Sequence, residues 1–188
     1  MKLLIYGSMD FANTVSALAT DCGHDVIGLI DDFNTGPGII GNFESTRLSH
    51  PPETHGVAVA IGYKNLHARQ TICARVHASG YQTPSLIHPR AYVANSASIG
   101  HGCMIMAGAI IDVRARIGNF VVAWPAVCIN HDVVIGENTF LSPSTTVCGH
   151  SQIGRNTFIG AGSTISDHCE VPPSSFLKLQ TRFTGTTQ

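Results

Sequence analysis

Charge is scarce in this chain. Only 12% of its 188 residues are Asp, Glu, Lys or Arg, with a formal net charge of −1 and a pI near 6.8. That balance argues against nucleic acid or an anionic membrane surface as the main partner. No apolar run approaches the roughly 18 residues that span a bilayer. The apolar opening from Met1 stops at Gly7 with no signal-peptide core or cleavage site after it, so the expected location is cytoplasmic. Six cysteines (Cys22, Cys73, Cys103, Cys128, Cys148 and Cys169) form no CxxC pair and read as reduced packing residues, not disulfides or zinc ligands. A hydrophobic content of 44% beside so little charge fits a chain that buries some outer faces in an oligomer.

What the chain has in abundance is a period of six. From Ile87 to Ile165 every sixth residue is Ile, Val or Leu, except Ala123, and the register never slips. The fifth place of each block is small or β-branched, running from Ala91 and Ala97 through Val121 and Val127 to Ser163 and Cys169. The second place is often Gly (Gly100, Gly118, Gly136, Gly154, Gly160), read as a turn position that needs a residue of low steric cost. Six is neither the helical nor the strand period, and fixed-period self-similarity marks a stacked repeat. Each block supplies one short strand and one turn, and three blocks make a triangular coil of a parallel β-helix. Four to five coils are expected, ending at Val171-Pro172-Pro173.

The first part of the chain follows other rules. Lys2 to Gly7 reads as a buried strand, Phe11 to Cys22 as a helix stopped by Gly23, and Val26 to Ile30 as a second strand closed by Asp31-Asp32. Phe33 to Pro52 reads as a loop with a short strand at Ile39-Ile40. Val57 to Gly62 is a third strand, and Leu66 to Ser79 a second helix before Gly80. This is a Rossmann-like βαβ arrangement. The expected division is 1–84 for an α/β domain, 85–172 for the β-helix and 173–188 for a tail. A glycine ending the first strand suits phosphate oxygens at a helix N-terminus, and two carboxylates ending the second suit a ribose or base. Gly7-Ser8-Met9-Asp10-Phe11-Ala12 lacks the G-x-G-x-x-G pattern, which favours a mononucleotide over a dinucleotide; alternatively, Asp31 and Asp32 only cap a turn.

Residues 18 apart stack on neighbouring coils about 4.8 Å apart. His131 therefore lies beneath Gly149, beside a column of Arg114, Asp132, His150 and His168. A carboxylate beside an imidazole holds one tautomer and makes a better base, and a bare glycine amide can meet a developing oxyanion. Base, orienter and oxyanion donor together describe an acyl-transfer site. His150 reads as a polar neighbour or a participant, and His101 and His168 as surface residues. Trp124 reads as a subunit or ligand contact or as a packing correction for Ala123.

The combination of Asp31-Asp32-Phe33, Ala60-Ile61-Gly62, an unbroken hexapeptide helix and Ile129-Asn130-His131-Asp132-Val133-Val134-Ile135-Gly136 resembles the PglD/NeuD-type sugar-nucleotide N-acetyltransferases over residues 1 to 172. The resemblance implies a left-handed helix, a homotrimer and acetyl-CoA held between adjacent β-helices. It implies His131 as general base, Asp132 as its acidic partner and Gly149 as holder of the thioester carbonyl. Gly7, Ser8, Asp31, Asp32 and Gly62 would bind the nucleotide of an amino-sugar donor, a 4-amino-4,6-dideoxyhexose destined for bacterial surface glycan. No metal is implied. The chain departs from relatives at Ser8-Met9-Asp10-Phe11, where they carry a Gly- and His-rich loop, and at Pro172-Pro173-Ser174-Ser175, where they carry a Gly-x-Pro-Ala segment. The rival readings are acetylation of a sugar or sialic acid hydroxyl, and a non-catalytic scaffold. A γ-type carbonic anhydrase would need three converging histidines, two of them close on one strand, and the repeat has no H-x4-H pair.

Overall fold

A computed structural model describes residues 1–185, which form two compact units, one of Met1–Pro84 and one that begins at Ser85. In the first unit, strands β1 (Lys2–Tyr6), β2 (Asp25–Ile30), β3 (Ile39–Gly41) and β4 (His55–Val59) form a parallel sheet in the order β3-β2-β1-β4. Helix α1 (Asp10–Asp21) buries Ala12, Val15, Leu18 and Ala19, and Gly23 follows it at φ +79°. Helix α3 (Leu66–Ala78) starts where Asn65 accepts the Ala68 amide at 2.9 Å.

One element differs from the expected loop: Phe43–Ser49 is a helix, α2. Its start is written in Asn42, whose side chain accepts the Ser45 amide at 2.8 Å, and in Phe43, which is fully buried. The preceding Gly-Pro-Gly run obscures this short helix, which depends on one buried aromatic more than on a periodic face.

The second unit is a left-handed parallel β-helix. Among the described residues it has seventeen two-residue strands, from Leu86–Ile87 to Arg182–Phe183, in three parallel sheets. The sixfold register is as read: Ile117 pairs with Ile135 and Ile129 with Val147, each pair 18 residues apart. First-place side chains fill the core from Ile105 to Val171. On the first coil, where no earlier coil stacks, Ile87 is 36% exposed and Val93 and Ile99 are only partly buried.

Three details refine the pattern. The turn residue is the fourth place, not the second: Arg114, Phe120, Asp132, Asn138, His150 and Asn156 all have φ between 56° and 60°. The second-place glycines instead permit close approach of coils. A Cβ on Gly118 would stand 2.8 Å from the Glu137 amide nitrogen, and one on Gly136 2.5 Å from that of Arg155. Buried fifth-place hydroxyls do more than fit. Thr139 donates to the Gly154 carbonyl at 3.1 Å and Ser151 to that of Ser166 at 2.6 Å, joining coils from inside.

The expected tail at 173–188 is also corrected. Phe176–Leu177 and Arg182–Phe183 continue the helix, with Leu177 and Phe183 keeping the first place. Among the described residues no backbone carbonyl receives a third-place amide, so Pro89, Pro125, Pro143 and Pro173, all in third places, remove no ladder bond. The helix runs on past the second-place Pro172 to Arg182–Phe183. Residues 186–188 of the expected tail lie outside the described residues.

Because the Gly136 contact is backbone against backbone, Gly136→Ala should destabilise the β-helix by about 1–3 kcal/mol. A lowered urea midpoint, with far-UV circular dichroism unchanged before the transition, is the expected result.

Candidate active site

His131 and Asp132 occupy the third and fourth places of one turn. The left-handed conformation of Asp132 (φ 60°) is one that Asp, Asn and His tolerate better than most residues. The turn directs the carboxylate back along the coil, where Oδ2 stands 3.0 Å from His131 Nδ1. Across one ladder step, Arg114 donates from Nε to Asp132 Oδ1 at 2.7 Å and from a terminal nitrogen to Oδ2 at 2.8 Å. These bonds, Arg114 foremost and His131 next, hold the Asp132 carboxyl well below the usual carboxylate range. With Nδ1 facing Asp132, His131 presents Nε2 outward on a half-exposed ring.

Gly149 lies on the next coil, against the imidazole face. A Cβ there would stand 2.6 Å from His131 Cε1 and 2.8 Å from Nε2, so the ring keeps its place only beside a glycine. Among the described residues no backbone carbonyl accepts the Gly149 amide, while its own carbonyl receives the His168 amide at 3.0 Å. His150 crosses His131 edge-on at 5.2 Å and stacks on His168 at 4.8 Å, with His168 Nδ1 3.2 Å from Asp167. The expected column of Arg114, Asp132, His150 and His168 is thus physically contiguous.

A groove of about 560 Å³ runs beside this column, lined by Ser96, Ser98, Arg114, Arg116, Asp132 and His150 among others. His131, Asp132 and His150 place donor atoms within 4.8 Å of one another. Arg114 already occupies both oxygens of the carboxylate, which favours a hydrogen-bonded acid–base set over a cation site. Trp124 packs on the helix core and tilts against Phe140 at 6.0 Å. His101 meets Phe120 edge-on at 4.8 Å.

In the first unit, Gly7, Asp31 and Asp32 line a pocket of about 480 Å³ with Tyr6, Phe33 and Ile61; Phe33 stands 94% exposed at its rim. Gly7 is needed where it is, since a Cβ would fall 2.6 Å from the Ala60 carbonyl oxygen. Ser8 donates its hydroxyl to Asp31 Oδ2. Gly62 precedes a 3-10 turn, Tyr63–Asn65, and is not among the residues lining the pocket. Burial pushes the Asp31 carboxyl up, but the Ser8 hydroxyl and the Phe33 and Asn34 amides outweigh it and hold the group down at about 2. Asp32 is tied inward: it accepts from the Tyr6 hydroxyl at 2.6 Å, Arg75 at 2.8 Å and the Phe43 amide at 2.8 Å. Sequence reasoning did not foresee Tyr6 and Arg75 as its partners, nor a role for Arg114. The last was within reach, since Arg114 precedes Asp132 by one coil.

Comparisons with known proteins bear on the repeat and the fold. The bacterial transferase hexapeptide family (six repeats) matches residues 132–167. The repeat and the fold are those of hexapeptide-repeat β-helix proteins, and the solved structures that share them support an acyltransferase. The chain shares its fold with the acetyltransferase domain of PglB from Neisseria gonorrhoeae FA1090, solved in complex with acetyl coenzyme A. The TM-score is 0.91 at 28% identity over 98% of this chain and 91% of that one. A variant of perosamine N-acetyltransferase from Caulobacter crescentus, in complex with CoA and GDP-perosamine, has the same fold at TM-score 0.79 and 24% identity, covering 95% of this chain and 93% of that. WeeI from Acinetobacter baumannii AYE shares it at 0.67 and 19%, covering 94% and 96%. No helix among the described residues is long and apolar enough to cross a membrane.

Two outcomes are expected for the acidic pair of the first unit. Asp32→Ala removes the acceptor of the Tyr6 hydroxyl and the Phe43 amide and leaves Arg75 with Glu44 and the Tyr6 oxygen. It should lower stability by about 1–2 kcal/mol, read as a reduced urea midpoint. The folded pKa of Asp31 is depressed, so its stabilising share is complete above its unfolded value near 4 and is lost as pH falls towards about 2. Asp31→Asn should therefore flatten the urea midpoint against pH between about 4 and 2 relative to wild type.

Proposed function

We propose that the protein transfers an acetyl group from acetyl-CoA to the amine of a nucleotide-linked amino sugar, a 4-amino-4,6-dideoxyhexose for bacterial surface glycan. The observation that carries this reading is the alignment of Arg114, Asp132 and His131 beside an uncommitted Gly149 amide on a hexapeptide β-helix. Both the PglB domain and perosamine N-acetyltransferase were solved with coenzyme A species, and the latter also with a nucleotide sugar.

In this mechanism the free amine attacks the thioester carbonyl and gives a tetrahedral adduct. His131 Nε2 accepts the proton lost by the attacking nitrogen, while Nδ1–H remains on Asp132. The Gly149 N–H donates to the developing oxyanion, and one such donor lowers the barrier by roughly 3 kcal/mol. When the adduct collapses, the carbon–sulfur bond breaks and His131 returns the proton to the departing coenzyme A thiolate. Amide and free thiol result. The active form is a cytoplasmic homotrimer with the coenzyme between adjacent β-helices, and the cycle requires no metal.

The nucleotide takes the pocket lined by Gly7, Asp31 and Asp32, with Ser8 acting through its bond to Asp31, Gly62 next to the lining residue Ile61, and Asp32 held by Tyr6 and Arg75. Phe33 at the rim offers a face for the base.

Free thiol release from acetyl-CoA, measured against UDP-, dTDP- and GDP-linked amino sugars, tests the reading. Turnover with one amino sugar, and none with its hydroxyl analogue, is expected. Activity confined to hydroxyl acceptors would move the assignment to O-acetylation, and no coenzyme A binding at all would leave only a scaffold. His131→Ala should cost about 10²–10⁴ in kcat with the fold intact, whereas undiminished turnover would remove His131 from the base role.

A further inference from the structure

We infer that Arg114 is a positioning residue for this site: by pairing with Asp132 it lets the carboxylate orient His131 without converting the base into an imidazolium. The inference rests on the acyl-transfer reading and adds the device that makes such a base usable near neutral pH. A carboxylate 3.0 Å from Nδ1 has two effects. It fixes the tautomer, which helps catalysis, and it stabilises the protonated ring, which opposes catalysis because an imidazolium accepts no proton.

Arg114 separates the two effects. Its fork takes both oxygens of Asp132, at 2.7 and 2.8 Å, sharing Oδ2 with His131 Nδ1. The carboxylate is fixed with Oδ2 3.0 Å from His131 Nδ1, and its charge is offset by a neighbouring cation. The geometry follows from the repeat. Arg114 and Asp132 are both fourth-place residues in the left-handed conformation, one coil apart. The Arg114 amide is anchored to Ser96 Oγ at 3.1 Å and the Asp132 amide to the Val113 carbonyl at 3.0 Å.

The charged and titratable groups around His131 are few. Asp132 lies on its own turn, Asp112 and Arg114 on the coil before, and His150 on the coil after, with His168 and Asp167 beyond it. Arg114 is the one cation in this set that stays charged at every working pH. Its side chain is 64% exposed, so replacing it leaves the core of the coil untouched and the consequence appears in proton affinity more than in stability.

The test uses the full chain with histidine labelled at 13Cε1, titrated by NMR, the His131 resonance being identified by its loss in His131→Gln. In Arg114→Gln the His131 midpoint should rise by about one pH unit, roughly tenfold more imidazolium at a given pH above the midpoint. Arg114→Lys, a cation without the fork, should fall between the two. The acidic limb of kcat/KM should move upward with the midpoint, and turnover lost at neutral pH should return in more alkaline buffer. An unmoved or lowered midpoint in Arg114→Gln overturns the inference, whatever the activity. A raised midpoint in a protein that turns over no acceptor of the panel upholds the hold of Arg114 on His131 and instead overturns the acyl-transfer reading.

Discussion

Each coil of the repeat is held to the next by parallel ladder bonds, such as Val134 N–H to the Ser151 carbonyl, and this bonding places every residue against the one 18 positions later. Nearly all that is distinctive in the second unit depends on that constraint. It stacks the aliphatic first places into one core and brings the fifth-place hydroxyls within reach of carbonyls on adjoining turns. The same spacing crowds the second places until several admit only glycine, and leaves third-place amides outside the ladder. A β-helix of this kind is a one-dimensional array in which each coil contacts mainly its neighbours. Chemistry can therefore be installed by changing a few outward positions without disturbing the interior.

The candidate site uses this freedom. Third-place N–H groups among the described residues reach no backbone carbonyl, and Gly149 is one of them, cleared of a side chain so that His131 can lie against it. Fourth places form a vertical column, and this chain fills it with a cation, a carboxylate and two imidazoles in succession. The first unit works by different means: Asp32 gathers β1, α2 and α3 through Tyr6, Phe43 and Arg75, fixing one wall of the pocket that Asp31 and Phe33 complete.

Legibility of the sequence followed the physics of the period. With an 18-residue repeat and adjacent-coil pairing, the neighbours of His131 could be counted out along the chain, and the contacts of Asp132, Gly149 and His150 obey that count. The helix at Phe43–Ser49 was hidden because it is short and anchored by a single buried ring. The continuation past Pro173 was hidden because proline is read as a breaker, and only the hydrogen-bond pattern reveals that a third place has no ladder bond to lose.

The sequence by itself determined the β-helix, its register and the column of outward residues, since a strict sixfold period with aliphatic first places has few other ways to bury its apolar face. It also determined the βαβ character of the first unit through alternating apolar runs and glycine stops. Only the tertiary structure decided which way side chains turn at a corner: that Arg114 grips both oxygens of Asp132, that Asp32 faces Tyr6 and Arg75, and that Gly149 makes room for a ring. Those choices depend on corner dihedrals and on competition among polar partners a few ångströms apart, and periodicity in one dimension carries no information about them.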